Sequence, residues 1–200
     1  VIGFTRGEAP EVMTPRRVAG WTARWVSRVR AGARSSDFQW PTVDARSLRD
    51  HVVGALLVCT ADHCAYCDGY PIDDTQTPQV DHFLPKVRHP DLAFAWANLY
   101  PCCAACNGAK GDKETDDALL RPDAPEYSFE RYYIFDRRSG EVQPNPAANA
   151  ADRERAWVTL AALGVNAGSR PTRRLAALRR AERDPDACLD ELPYRFVVLA

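Results

Sequence analysis

Lysine is nearly absent from this 200-residue chain: only Lys86, Lys110 and Lys113 carry an ammonium, and the rest of the positive charge is arginine. There is no net positive charge either. A formal charge of −1 argues against an indiscriminate nucleic-acid binder, because phosphate affinity is built from Lys and Arg. No apolar run approaches the roughly 20 residues needed to span a bilayer, and the N-terminus lacks the apolar core of a signal peptide. The expectation is a soluble, cytoplasmic protein with no membrane association. No internal repeat, low-complexity segment or recognisable sequence-reading helix stands out. The length suits one compact unit and leaves no room for two large domains.

The charge that is present is unevenly placed. Residues 1–60 carry nine arginines against five acids, whereas residues 61–125 are acidic by six. An acidic middle repels DNA unless some of its carboxylates face a metal. Seven cysteines are an odd count, and two tight C-x-x-C pairs in a chain without a secretion signal favour thiolate ligation in a reducing compartment over disulfides.

The flanks read as helices. Thr14 and Pro15 start one, Val18, Trp21, Trp25 and Val29 recur at helical spacing, and Gly32 stops it. A second is expected from near Asp44 to Cys59, with Leu48, Val52, Leu56 and Cys59 on its buried stripe. Tyr127–Phe135 is aromatic and β-prone, and Arg138-Ser139-Gly140 turns it into a hairpin partner around Val142. Two helices follow, about 147–163 ending at Gly164 and about 171–183. The Phe196-Val197-Val198-Leu199 run reads as a last core strand in preference to a partner-docking tail.

Between the flanks, from His63 to about Asp117, short segments, prolines, glycines and paired cysteines suit a metal-organised module. Cys64-Ala-Tyr-Cys67 and Cys103-Ala-Ala-Cys106 supply four thiolates for a tetrahedral structural zinc with no open position. Cys102 adjoins Cys103, but only Cys103 keeps the two-residue gap to Cys106. His63 and Cys188 read as bystanders. A redox pair and unligated buried cysteines are the alternatives, and two pairs at this spacing disfavour both.

Between and after the pairs lie Asp81-His82-Phe83-Leu84-Pro85-Lys86, then Trp96-Ala97-Asn98-Leu99, then Cys106-Asn107-Gly108-Ala109-Lys110-Gly111-Asp112-Lys113. Phosphodiester hydrolysis needs an activated water and a cation for the charge that develops on phosphoryl oxygens. His82, with an ordinary pKa near 6.5, suits a general base at neutral pH. Asp81 and Asn107 offer hard oxygen ligands for Mg²⁺ or Mn²⁺, and Lys86, Lys110 and Lys113 are candidate phosphate contacts. In strand geometry Asp81 and His82 point to opposite faces, so one centre can use both only if the strand ends or bends there.

This constellation resembles the HNH, or ββα-metal, nucleases in their His-Asn-Asn form. The resemblance implies that Asn98 ties down the loop after the first strand and so orients His82. It also implies that Asn107, on the helix behind the hairpin, completes the metal site, and that cleavage leaves 5′-phosphate and 3′-hydroxyl ends. The stretch Asp-His-Phe-x-Pro-Lys, His89-Pro90, Phe94-x-Trp96-x-Asn98-Leu99 is similar to the HNH nuclease subunits of Septu-type and retron-associated antiphage systems. That similarity implies an ABC- or SMC-like ATPase partner that licenses DNA cleavage. The expected architecture is α+β, predominantly helical, with a zinc-stapled ββα-metal core at residues 62–118. A helical flank at 1–61 and a hairpin with C-terminal helices at 119–200 would pack with it as one unit. The competing readings are a non-catalytic zinc module that binds nucleic acid or protein, and a stand-alone restriction or homing-type HNH enzyme.

Overall fold

In a computed structural model, residues 2–72, 77–113 and 118–199 of the chain are described. The first helix, α1 (Pro15–Arg30), begins where Thr14 accepts a hydrogen bond from the Arg17 amide and Pro15 occupies the first turn. It buries Trp21 and Trp25 and ends at Gly32, whose φ of +93° places it in the region that favours glycine.

Asp44 does not begin the second helix. Asp44 and Ala45, at φ of 50° and 65°, form the two-residue turn of a small hairpin, β1 (Thr42–Val43) with β2 (Arg46–Ser47). Ser47 then caps α2 (Leu48–Thr60), in which Leu48, Val52 and Leu56 are fully buried. Cys59 departs from its expected core position. Thr60 takes the buried place at the helix end, and Cys59 is half-buried at the edge, accepting from the Gly7 amide while donating to the Ala55 carbonyl.

The centre of the fold is an antiparallel hairpin, β3 (Gln79–His82) with β4 (Leu99–Cys102), in register Asp81↔Tyr100 and His82↔Leu99. It is followed directly by a short helix, α3 (Ala104–Lys110), which contacts β3. The strand–strand–helix unit lies between two apolar cores. One holds Trp21, Trp25, Leu48, Val52, Leu56, Phe94 and Leu99, and joins the N-terminal helices to one side of the hairpin. The other holds Tyr66, Phe83, Tyr100 and the cysteines, together with side chains from residues 119–197.

In that second part, Phe129–Tyr132 forms one helical turn, α4, before β5 (Tyr133–Phe135) pairs with β6 (Val142–Pro144). Gly140 is required in the intervening turn. Its φ is +76°, and a Cβ there would fall 2.2 Å from the Pro171 carbonyl oxygen. The helices α5 (Ala150–Ala162) and α6 (Arg170–Arg183) follow. The Phe196–Leu199 run is not a strand. It forms a final helical turn, α7, that buries Phe196 and Val197. Its approach is set by the paired Asp68: the Tyr194 amide donates to the Asp68 carbonyl (2.6 Å), and the Arg195 guanidinium holds the Asp68 carboxylate (2.7 Å). The described residues thus form a mixture of helices and small two-stranded sheets, and none of their helices is long and apolar enough to cross a membrane.

Candidate metal centre and active site

The four sulfurs of Cys64, Cys67, Cys103 and Cys106 lie within 4.8 Å of one another. A tetrahedral zinc with Zn–S bonds of about 2.3 Å has edges of about 3.8 Å, and the Cys67–Cys103 sulfur separation is 3.8 Å. The donor set and its spacing therefore fit a structural metal ion such as zinc. The first pair is presented by a tight turn, in which the Asp68 amide donates to the Cys64 carbonyl and Asp68 has a φ of 60°. The second pair opens α3, with Cys103 at its N-cap. Cys102 instead lies in β4, fully buried and outside the quartet, and Cys188 is exposed. His63 is fully buried beside the quartet, with its Nε2 bonded to the Leu192 carbonyl (2.9 Å) and its ring stacked on Tyr70.

One partner of this centre was not anticipated. The Arg170 guanidinium, from α6, donates to the Cys106 sulfur (3.3 Å) and approaches that of Cys103 (3.9 Å). A zinc held by four thiolates carries a net double negative charge, and a guanidinium on its sulfurs offsets part of it. Nothing local in the sequence signals this contact, which joins residues 64 apart.

The strand β3 ends at His82, and its alternation sends the last two side chains to different surroundings. The His82 ring lies among aromatic side chains: Trp40 is stacked on it at 5.7 Å and Phe38 meets it edge-on at 5.1 Å. Its Nε2 is 2.9 Å from the Ala93 carbonyl oxygen. A carbonyl only accepts, so Nε2 carries the proton and Nδ1 keeps its lone pair. Among the described residues Nδ1 has no hydrogen-bond partner. Burial, then the nearby Lys86 and Lys110 ammonium groups, hold the His82 pKa down at about 3, so the ring is neutral across the physiological range.

Asn98 is 3% exposed, and its side chain joins two points of the segment between β3 and β4. Its Oδ1 accepts from the Leu84 amide (2.7 Å), and its Nδ2 donates to the carbonyls of Leu84 (3.0 Å) and Leu92 (3.1 Å). Leu92 adjoins Ala93, whose carbonyl fixes the His82 ring, so Asn98 and His82 are held on one loop.

Asp81 is buried on the other side of the hairpin. Its carboxylate accepts from the Tyr66 hydroxyl and lies 3.0 Å from the Lys110 ammonium. Burial pushes its pKa up, against the pull of Lys110 and Tyr66. Lys110 is not at the surface, where a phosphate contact would need it. It is fully buried, and its ammonium also donates to the His82 carbonyl at 2.8 Å. Lys113 is exposed and turns back to the Ala109 carbonyl. Lys86 is half-buried, its ammonium 5.5 Å from the centre of the Phe38 ring, and burial lowers its pKa. Asn107 is half-buried on α3, and its side chain makes no hydrogen bond among the described residues.

The structure therefore gathers the four cysteines, joins Asp81 to Lys110, and joins Asn98 to the loop of His82. Asp81 and His82 do not share one centre: strand alternation keeps them on opposite sides of the hairpin, and Lys110 already serves as the cation beside Asp81. The roles of Phe38 and Trp40 were not legible from sequence, because they reach His82 across more than 40 residues.

No family model matches the chain. Over 68 residues, 34% of its length, it is 40% identical to the Septu protein PtuB of Bacillus thuringiensis, of which the match covers 25%. Over 57 residues, 28% of its length, it is 39% identical to Protein ea31 of Escherichia phage lambda, of which the match covers 18%. The chain thus spans a quarter or less of these curated relatives.

Proposed function

We propose that the chain is an HNH-type, metal-dependent DNA endonuclease that acts in a Septu-like antiphage system under an ATPase partner. The observation that carries this reading is the state of His82. It is a neutral imidazole at the end of a cysteine-stapled hairpin, its Nε2 proton committed to Ala93 and its Nδ1 lone pair uncommitted. The similarity to a Septu protein over a third of the chain supports the defence setting. In this reading residues 62–118 are the nuclease core, between a helical flank at 1–61 and a C-terminal part at 119–200.

His82 Nδ1 takes a proton from the attacking water while Nε2 stays on the Ala93 carbonyl, which stabilises the imidazolium as it forms. Asn98 is a positioning residue that keeps that carbonyl in place through Leu84 and Leu92. His82 is a weak base here because its ring is buried and two ammonium groups lie near. A phosphodiester anion beside Lys86 offsets that ammonium, and so raises the proton affinity of His82 when substrate is present. Asp81 and Asn107 would offer oxygen ligands to a hard divalent cation, Mg²⁺ or Mn²⁺, which would neutralise charge developing on the phosphoryl oxygens. Because Asp81 faces away from His82 and is paired with Lys110 and Tyr66, this use of it requires the end of β3 to rearrange and free the carboxylate. Lys86 and Lys113 lie at or near the surface and can meet phosphates. Lys110 instead balances Asp81, and so sets how readily that carboxylate is released to a cation.

The burial of Asp81 and His82 favours a second reading, a zinc module that binds without cutting. Supercoiled plasmid incubated with Mg²⁺, Mn²⁺ or EDTA separates the two. Nicking that requires the divalent ion and leaves 5′-phosphate and 3′-hydroxyl ends is expected. Cleavage that survives EDTA, or leaves other ends, would overturn the mechanism. Recovery of an ATPase in pull-downs from the native host tests the partner, and random against defined cut sites distinguishes it from a stand-alone restriction or homing-type enzyme.

A further inference from the structure

The arginine excess of the N-terminal flank is concentrated on α1. That helix contains no acidic residue, and Arg16, Arg17, Arg24, Arg28 and Arg30 are all exposed. Arg17 has a loose partner in Asp44 at 3.9 Å, whereas Arg24 and Arg28 make no ion pair among the described residues. They are four residues apart, on one face and about 6 Å apart along the axis, a spacing on the scale of successive phosphates.

That face borders a recess of about 220 Å³ lined by Trp21, Trp25, Trp40 and Phe94, with Arg24 and Arg28 at its edge. Trp40 is also the ring stacked on His82. The recess therefore adjoins the candidate catalytic base through a single indole, and α1 is fastened to the same loop by the Trp25 indole, which donates to the Lys86 carbonyl at 2.7 Å. Guanidinium groups beside an aromatic recess are the combination that holds single-stranded nucleic acid, with the cations taking phosphates and the rings taking bases. A duplex keeps its bases stacked inside and has none to offer the recess.

We infer that Arg24 and Arg28, with the recess backed by Trp40, form the entry site for an unpaired DNA strand, one base in the recess and its flanking phosphates on the two arginines. This deepens the nuclease reading and rests on it for the strand's destination, though not for its binding. A second arginine-rich helix, α6, exposes Arg179 and Arg183 but packs into the other core, and neither of these two residues lines the recess beside that helix, which takes Arg170, Arg173 and Arg180 with Tyr70 and Tyr194. It serves as the control.

The test is fluorescence anisotropy of labelled oligodeoxynucleotides in buffer without added divalent ions, using the zinc-loaded His82→Ala chain, so that binding is read without cleavage. The single strand is expected to bind about tenfold more tightly than the duplex, and more tightly than an all-abasic strand of the same charge. Adding Arg24→Gln and Arg28→Gln should reduce the slope of log affinity against log salt by about 1.4, since each single-strand phosphate contact contributes about 0.7. Arg179→Gln with Arg183→Gln should change it far less. Both arginine pairs are exposed, and unchanged zinc content with unchanged circular dichroism verifies the fold of each variant. Absent binding at low salt, equal loss from both arginine pairs, or a preference for duplex would each overturn the proposal. Metal-dependent plasmid nicking, measured separately on the chain with native His82, reports whether the nuclease reading survives on its own.

Discussion

The burial of His82 links stability to pH. Its folded pKa is held at about 3, against an ordinary value of 6.5. Well above pH 6.5 the ring is neutral in both the folded and unfolded chain, and its full contribution to stability is present. As pH falls below 6.5 the unfolded chain takes up a proton that the folded chain refuses, and stability is lost progressively toward pH 3. At pH 5.5 this loss amounts to about 1.4 kcal/mol, and at pH 5.0 to about 2 kcal/mol. The assay is urea unfolding of zinc-loaded wild type and His82→Asn at steps from pH 8.0 to 5.0. Protonation of the cysteines and carboxylates affects both proteins alike, so the difference between the two curves isolates residue 82. The wild type should lose stability relative to the variant by these amounts. Parallel curves would show that His82 accepts protons freely, and would refute the burial of its ring behind Trp40 and Phe38.

The buried pair of Asp81 and Lys110 gives another expectation. Lys110→Met leaves the carboxylate and the His82 carbonyl without their shared donor, and should cost about 3–5 kcal/mol in urea unfolding. Combining it with Asp81→Asn should return a large part of that loss. Cys103→Ser should abolish stoichiometric zinc, measured by mass spectrometry of the purified protein, whereas Cys102→Ser should retain about one ion per chain. The reverse result would put the wrong cysteine in the metal centre.

Local chemistry was the most legible layer. The two C-x-x-C pairs place four sulfurs together because each pair spans one tight turn, and the gap between Cys103 and Cys106 distinguishes Cys103 from its neighbour. The α1 start, the Gly32 and Gly164 stops and the turn at Gly140 follow from backbone preferences that act over a few residues. What stayed hidden depends on contacts distant in the chain. Lys110 looks like an exposed helix-end cation until α3 is laid on β3, which brings it over Asp81. Asp44 sits in an apolar-periodic context, yet the primed turn with Ala45 excludes it from the helix. Phe196–Leu199 has strand composition, but its anchoring by Asp68 leaves no strand beside it to pair with. The cover over His82 comes from Phe38 and Trp40, whose sequence context signals only a loop.

The central claim is that His82 is the base of a nuclease. The most direct measurement is nicking of supercoiled plasmid by wild type and His82→Ala side by side, with Mg²⁺ or Mn²⁺, zinc content matched, and the candidate ATPase added. Wild type should nick and the variant should be slower by at least about a hundredfold. Equal rates for the two, or no nicking by wild type with the partner present, would contradict it.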